Sequence, residues 1–132
     1  MTHPSEGPRT SPAAQLLGRR VIEAADGRAR VSYRAGSSLH NRIGNVQGGM
    51  IAAMLDSAMG IAGATVLGAG RYPVTLEIKV SFLRPAVEGT LVADARVIRS
   101  GGTILFTEAT LSDEGGEPVA TGTATARIVR RD

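Results

Sequence analysis

The chain has 132 residues, 42% of them hydrophobic and 20% charged, the make-up of one globular domain with room for a single core. It contains no cysteine, which excludes disulfides, thiolate metal sites and a cysteine nucleophile. The net charge of +3 comes from scattered arginines, with neither a basic helix nor stacking aromatics beside them. This reads as a solvated basic surface, with an electrostatic welcome for a phosphate-bearing ligand as the lesser alternative, and not as a nucleic-acid interface.

Residues 1–11 are polar and Pro-rich, with no apolar stretch, so they are expected to be a disordered tail and not a secretory signal. Residues 12–132 then form the one domain. Ser11-Pro12 reads as an N-cap with Pro at the first helical position, opening a short helix through Leu17. Val21–Ala24 and Arg28–Tyr33 flank Asp26-Gly27, a hairpin signal. A polar loop over residues 36–45 follows.

Gln47-Gly48-Gly49 then opens the most apolar stretch, Met50–Leu67. By length it could be taken for a membrane span. It carries Asp56, Ser57, Gly60, Gly63 and Thr65 and lacks flanking anchors, so the expectation is a helix wrapped by the rest of the protein, stopping at Gly68-Ala69-Gly70. No membrane role is expected, and the cytoplasm is the expected location.

The remainder reads as strands. Val74, Leu76, Ile78, Val80 and Phe82 alternate with Thr75, Glu77, Lys79 and Ser81, a period of two ended by Pro85. Thr90–Arg99, Ile104–Ser112 and Val119–Val129 follow, separated by turns at Ser100-Gly101-Gly102 and Asp113–Gly116. In the last strand Ala120, Gly122, Ala124, Ala126 and Ile128 share one face. Short turns between long strands predict antiparallel pairing, here as a four-stranded meander. The fold class is therefore α+β, a curved antiparallel sheet around one long central helix. Aromatics are only 3% and Gly reaches 17, so the core must be built from Ala, Val, Leu, Ile and Met.

Two features could carry chemistry. Asp56 lies six residues inside the apolar helix, where a lone charge costs several kcal/mol unless it is paired or used. It either serves a reaction or faces solvent on a narrow stripe with Ala52, Ser57, Gly60 and Gly63. Gly48 and Gly49 leave N–H groups open at the start of the same helix, where the dipole can stabilise a developing oxyanion. Asp56 follows two turns later, which the spacing places in the same neighbourhood. The only histidines are His3 and His40, no Ser-His-Asp set or G-x-S-x-G elbow can be assembled, and no metal-ligand cluster is present. No metal and no cofactor are expected. Arg99-Ser100-Gly101-Gly102-Thr103 resembles a phosphate loop only in glycine content and reads as a β-turn.

The run His40-Asn41-Arg42-Ile43-Gly44-Asn45-Val46-Gln47-Gly48-Gly49-Met50, followed by Leu55-Asp56-Ser57-Ala58-Met59-Gly60, resembles the signature of the PaaI-like (phenylacetic acid degradation type) hotdog thioesterases. The likeness continues into Ser81-Phe82-Leu83-Arg84-Pro85-Ala86 and Val119-Ala120-Thr121-Gly122, and covers about residues 12 to 130.

That resemblance implies a hotdog fold and hydrolysis of an acyl-CoA thioester, with coenzyme A entering only as part of the substrate. Position by position it gives Asp56 the role of nucleophile or general base. Asn41 would hold the thioester or water, Gly48 would polarise the carbonyl through its N–H, and Thr75 would steady the water or the carboxylate. Gln47, Gly49 and Met50 would contact substrate. Asn41 and Gly48 would come from one subunit and Asp56 and Thr75 from its partner, in a homodimer or homotetramer.

Gln47 stands where many members have His. Glutamine can donate to a carbonyl but cannot shuttle a proton, and thiolate leaves without a general acid. A pocket lined by Met50, Met54, Leu55 and Met59 would be pliable and apolar. A non-catalytic acyl-CoA or small-ligand binder is the alternative, and a hotdog hydratase is a third reading that lacks its working His.

Overall fold

The structure, a computed structural model, describes residues 11–131. The expected tail, apart from Ser11, and His3 lie outside the described residues. The opening helix α1 (Pro12–Leu16) is capped by Ser11, whose Oγ accepts the Ala14 N–H at 3.1 Å. Strands β1 (Arg20–Ala25) and β2 (Arg28–Ala35) form the expected hairpin. Asp26 and Gly27 both have positive φ, as a two-residue type I′ turn demands. The loop that follows contains one short turn of 3-10 helix, Ser37–Leu39.

The central helix α2 runs Gly48–Ala64. It stops short of the expected Gly68-Ala69-Gly70 because Thr65 ends it. The Thr65 hydroxyl donates back to Ala62 O at 2.7 Å and accepts the Gly27 N–H at 2.7 Å, tying the helix end to the β1–β2 turn. Strands β3 (Arg71–Phe82), β4 (Gly89–Ser100), β5 (Ile104–Ser112) and β6 (Pro118–Arg130) complete the fold.

All six strands lie in one antiparallel sheet of order β1-β2-β4-β5-β6-β3. The expected four-stranded meander is therefore corrected: β4, β5 and β6 are a meander, but β3 does not neighbour β4. It crosses to the far edge and pairs with β6, while β2 takes the place beside β4. Local turn signals cannot report this swap. It arises because α2 must be covered from both sides, and β3 brings Ile78 and Val80 onto the helix from the edge opposite β1 and β2.

The core lies between α2 and the concave face of the sheet. Ile51, Met54, Leu55, Ala58, Met59 and Ala62 meet Val31, Tyr33, Leu91, Ala93, Leu111 and Ala120 there. Met54 and Leu55 are wholly buried and Met59 is 2% exposed, each contributing roughly 1.5–3 kcal/mol. These three side chains therefore fill the core and cannot line a ligand pocket as expected. Only Met50, partly buried at the first turn, remains near the surface.

Strand β3 departs from its simple alternation. A bulge between Thr75 and Glu77 shifts the register, so Leu76 is thrown out to 60% exposure and Val74 to 41%. Thr75 turns inward opposite Ala126, on the side where α2 lies.

Candidate active site

Helix α2 is not covered all round. Gly49, Ala53, Asp56, Gly60 and Ala64 recur at intervals of three and four, so they form one stripe, and none of them is buried. A side chain added at Gly49 or Gly60 would enter open space. Asp56 thus sits neither in the core nor in bulk water, but half-buried on this stripe. The inward turn of Thr75 meets it there: Thr75 Oγ1 donates to Asp56 Oδ1 at 2.6 Å. Such a hydroxyl–carboxylate bond is charge-assisted and orients the second carboxylate oxygen outward.

The helix entry forms a second cluster. Gln47 occupies the N-cap in extended backbone and its side chain makes no cap bond, so the Gly48 and Gly49 N–H groups keep no intrahelical or side-chain acceptor. Gly49 is exposed, and Gly48 lies under the Phe82 ring, whose Cε1 and Cζ would stand 3.3 Å from any Cβ placed there. A Cβ there would press the ring outward by a few tenths of an ångström, so glycine lets it approach closely.

Beside it opens a groove of about 340 Å³ lined by Asn41, Val46, Gly48, Ile51, Phe82 and Arg84 among others. Asn41 Oδ1 accepts the N–H groups of Ile43 and Asn45 at 3.0 and 3.1 Å. That Asx turn shapes the loop and leaves the Asn41 amide NH₂ as its free donor. Arg84 is steadied by Asp113 at 2.7 Å. The Asp113 carboxyl is held below its usual range by the Glu117 backbone N–H first, then by Arg84.

The structure therefore brings Asp56 to Thr75, and Asn41 to Gly48, but not the two pairs to each other. Eight residues of helix separate Gly48 from Asp56, about 12 Å along the axis. The expectation that they share a neighbourhood fails within one chain. Phe82 is the residue of this cluster that sequence reasoning did not single out, reading it only as one member of the apolar alternation along β3. Its position just before Leu83-Arg84-Pro85, where the strand ends, is the signal that it could swing onto the helix entry.

A polar group lies next to Asp56 on the sheet side. Arg19 Nη1 donates to Ser57 Oγ at 3.2 Å. The Tyr33 hydroxyl is buried close to Ser57, yet no group meets it in full hydrogen-bond geometry. Burial drives its pKa up to about 12, against the smaller downward pull of Ser57 and Arg19. His40 contributes a backbone bridge to Val46 and buries an unpartnered Nε2. Among the described residues no group of three His, Cys, Asp or Glu side chains could hold a metal ion, and no helix is long and apolar enough to cross a membrane.

An open, curved antiparallel sheet wrapped on one helix, with an acid at mid-helix and open donors at its start, is the architecture of a thioester-hydrolysing class, and comparison with known proteins agrees. The profile of the thioesterase superfamily matches residues 43–120. The chain belongs to that superfamily, as a hotdog protein of the PaaI-like kind.

A candidate esterase of Halobacterium salinarum is 35% identical over 128 residues, covering 89% of this chain and 84% of the relative. A candidate thioesterase of Ralstonia eutropha, described as a phenylacetic acid degradation-related protein, superposes with TM-score 0.84 at 37% identity over 92% and 94% of the two chains. A Streptococcus pneumoniae thioesterase protein solved with coenzyme A shares the fold at TM-score 0.78 and 21% identity, over 86% and 88%.

Proposed function

We propose that this protein hydrolyses acyl-CoA thioesters in a site completed by a second copy of the chain. The observation that carries the reading is the Thr75–Asp56 bond at 2.6 Å. A carboxylate raised on the open stripe of an apolar helix, with one oxygen fixed by a hydroxyl, is poised to use the other. The coenzyme A bound by the Streptococcus pneumoniae relative favours a CoA thioester among possible thioesters.

Strand β3 supports the second copy. It is a sheet edge twelve residues long that displays Tyr72, Val74, Leu76 and Phe82, an aggregation hazard unless another strand covers it. Two copies joined antiparallel along β3 by a two-fold axis bring the Thr75 end of one against the Phe82 end of the other. Asp56 and Thr75 of one copy then face Asn41 and Gly48 of its partner, joining the clusters that one chain keeps apart.

In that site the thioester carbonyl accepts the Gly48 N–H at the positive end of α2, with Gln47 and the Asn41 amide as further donors. Asp56 either attacks the carbonyl carbon, giving with loss of thiolate a mixed anhydride that water then hydrolyses to the acid and free Asp56, or takes the proton of an attacking water that Thr75 and Asn41 hold. The carbonyl π electrons move onto oxygen, where the helix start stabilises them, then return as the C–S bond breaks and CoA leaves as thiolate. No general acid is needed, so Gln47 in place of a histidine does not block turnover.

Asp56→Asn tests this. It should fold and pair normally, bind acyl-CoA, and lose roughly 10³-fold in kcat, read by release of free thiol. Full turnover in that variant would remove the catalytic assignment. Binding without thiol release by the unaltered protein would make it the non-catalytic acyl-CoA binder instead.

A further inference from the structure

Beyond the reacting atoms, the end of the sheet past Thr75 carries a charge arrangement that the fold alone does not explain. Arg71 opens β3 and Arg130 closes β6, and the two are direct cross-strand partners. Like charges placed opposite one another destabilise a ladder, and among the described residues neither forms an ion pair. Arg131 follows, its N–H bonded to Gly70 O, and the Arg71 Nη2 rests 3.4 Å from Gly102 O.

The position of this pair is as telling as its charge. Arg71, Pro73 and Thr75 alternate along β3 before the bulge, so Arg71 lies on the face that carries Thr75, about 13 Å further on. In the antiparallel pairing of two copies, this end of β3 also comes against the other copy's Phe82 end, where the groove beside Gly48 runs out past Arg84. A substrate held at Asp56 and leaving along that groove would end at the arginines.

We infer that Arg71 and Arg130, with Arg131 beside them, bind the phosphates of the 3′-phosphorylated ADP end of a CoA thioester, an inference that rests on the CoA-thioester reading above. Guanidinium forks match phosphate oxygens in a bidentate manner. A polyanion between two opposed arginines turns their mutual repulsion into attraction.

The test compares acyl-CoA with the same acyl group on pantetheine, which lacks the nucleotide, in the full-length dimer. Arg71→Ala/Arg130→Ala should raise KM for acyl-CoA roughly tenfold or more per arginine while leaving kcat, and all constants for the acyl-pantetheine, unchanged. Added salt should raise the acyl-CoA KM of the unaltered protein and not that of the variant. Arg130→Glu gives a second variant that keeps the strand and replaces the like-charge opposition with an opposite-charge cross-strand pair to Arg71. It should melt at the same or a higher temperature and still lose the preference for acyl-CoA.

An unchanged acyl-CoA KM in both variants overturns the inference while thioesterase activity stands. So does dissociation of the variants to monomers with acyl-CoA and acyl-pantetheine affected alike, or loss of affinity for an oligonucleotide or an anionic vesicle with KM kept. Absence of turnover on both substrates by the unaltered protein is the separate failure of the proposed function.

Discussion

The two faces of α2 are built from the same kinds of residue and are used differently. Against the sheet, Met54, Leu55, Ala58 and Ala62 are fully buried and hold no polar group. On the opposite stripe Gly49, Ala53, Gly60 and Ala64 stay open and frame Asp56. Both faces are apolar in composition, so average hydrophobicity does not separate them. Side-chain size does: the sheet takes the large residues, and the small ones leave the stripe open. Changes on the inner face should therefore cost stability and spare turnover, and changes on the outer face should do the reverse.

The most demanding test of that division joins two damaged copies. Asn41→Asp keeps the Oδ acceptor that the Ile43 and Asn45 N–H groups use but removes the amide donor, and should cost ~10² in kcat. Asp56→Asn costs more. Unfolded together and refolded at equal amounts, the two variants should recover roughly a quarter of full activity, because half the dimers are mixed and each has one intact site of two. If the mixture is no better than its parents, each chain works alone and the shared site is wrong.

Thr75→Val removes the hydroxyl that fixes Asp56. A hydrogen bond to a charged group is worth about 1.5–3 kcal/mol, so kcat should fall about 10- to 100-fold with the melting temperature nearly unchanged. Thr75→Ser should restore most of the rate, since it keeps the donor. Loss of stability instead of rate would place Thr75 among the merely structural residues.

How far the sequence could foresee these faces depended on the range of the signal. The hairpin at Asp26-Gly27, the cap at Ser11 and the extents of β4, β5 and β6 follow from local chemistry, and the structure agrees with them. The position of β3 did not follow, because pairing with β6 rather than β4 is a long-range choice that the intervening turn does not encode. The bulge at Thr75 was hidden by a regular apolar alternation, which read Val74 and Leu76 as core. Thr75 entered the candidate site through family resemblance alone. Gly48 and Asp56 were each readable from their place in the helix, yet the roughly 12 Å between them means that their joining in one site rests on the proposed second copy, which no local pattern describes.

Near the C-terminal end of α2, where the Asp56 side of the helix is itself buried against β3 and β5, Gly63→Ala sharpens the contrast. A Cβ at Gly63 would stand 2.9 Å from the Leu105 Cδ2 and 3.5 Å from the Pro73 ring. Leu105 is wholly buried and has little room to move. Overpacking of this kind costs about 1–3 kcal/mol, measured as a lower denaturant midpoint with an unchanged m-value, and kcat should not change. A drop in kcat larger than the unfolded fraction explains would show that packing at this buried end of α2 also tunes Asp56.

Tyr33→Phe examines the border between the faces and carries the smallest effect at neutral pH. The phenol is 1% exposed with no full hydrogen-bond partner, and a buried donor left unmet costs about 1 kcal/mol or more. Removing it should stabilise the fold by about 1 kcal/mol. The effect should grow in alkali. Burial raises the Tyr33 pKa from 10.0 to about 12, so above pH 10 the unfolded chain ionises first and releases its proton more readily than the native protein. Stability that is intact below pH 10 then declines toward pH 12, by on the order of 2–3 kcal/mol. Denaturant titrations at pH 9 and pH 11 should show this decline in the unaltered protein and its reduction in Tyr33→Phe. The phenol lies on the sheet side of Ser57, one residue from Asp56, so kcat of the variant is the second reading. An unchanged kcat keeps Tyr33 with the core, whereas a fall in rate from a more stable protein would mean that its hydroxyl reaches the chemistry and that the division between the faces is not complete.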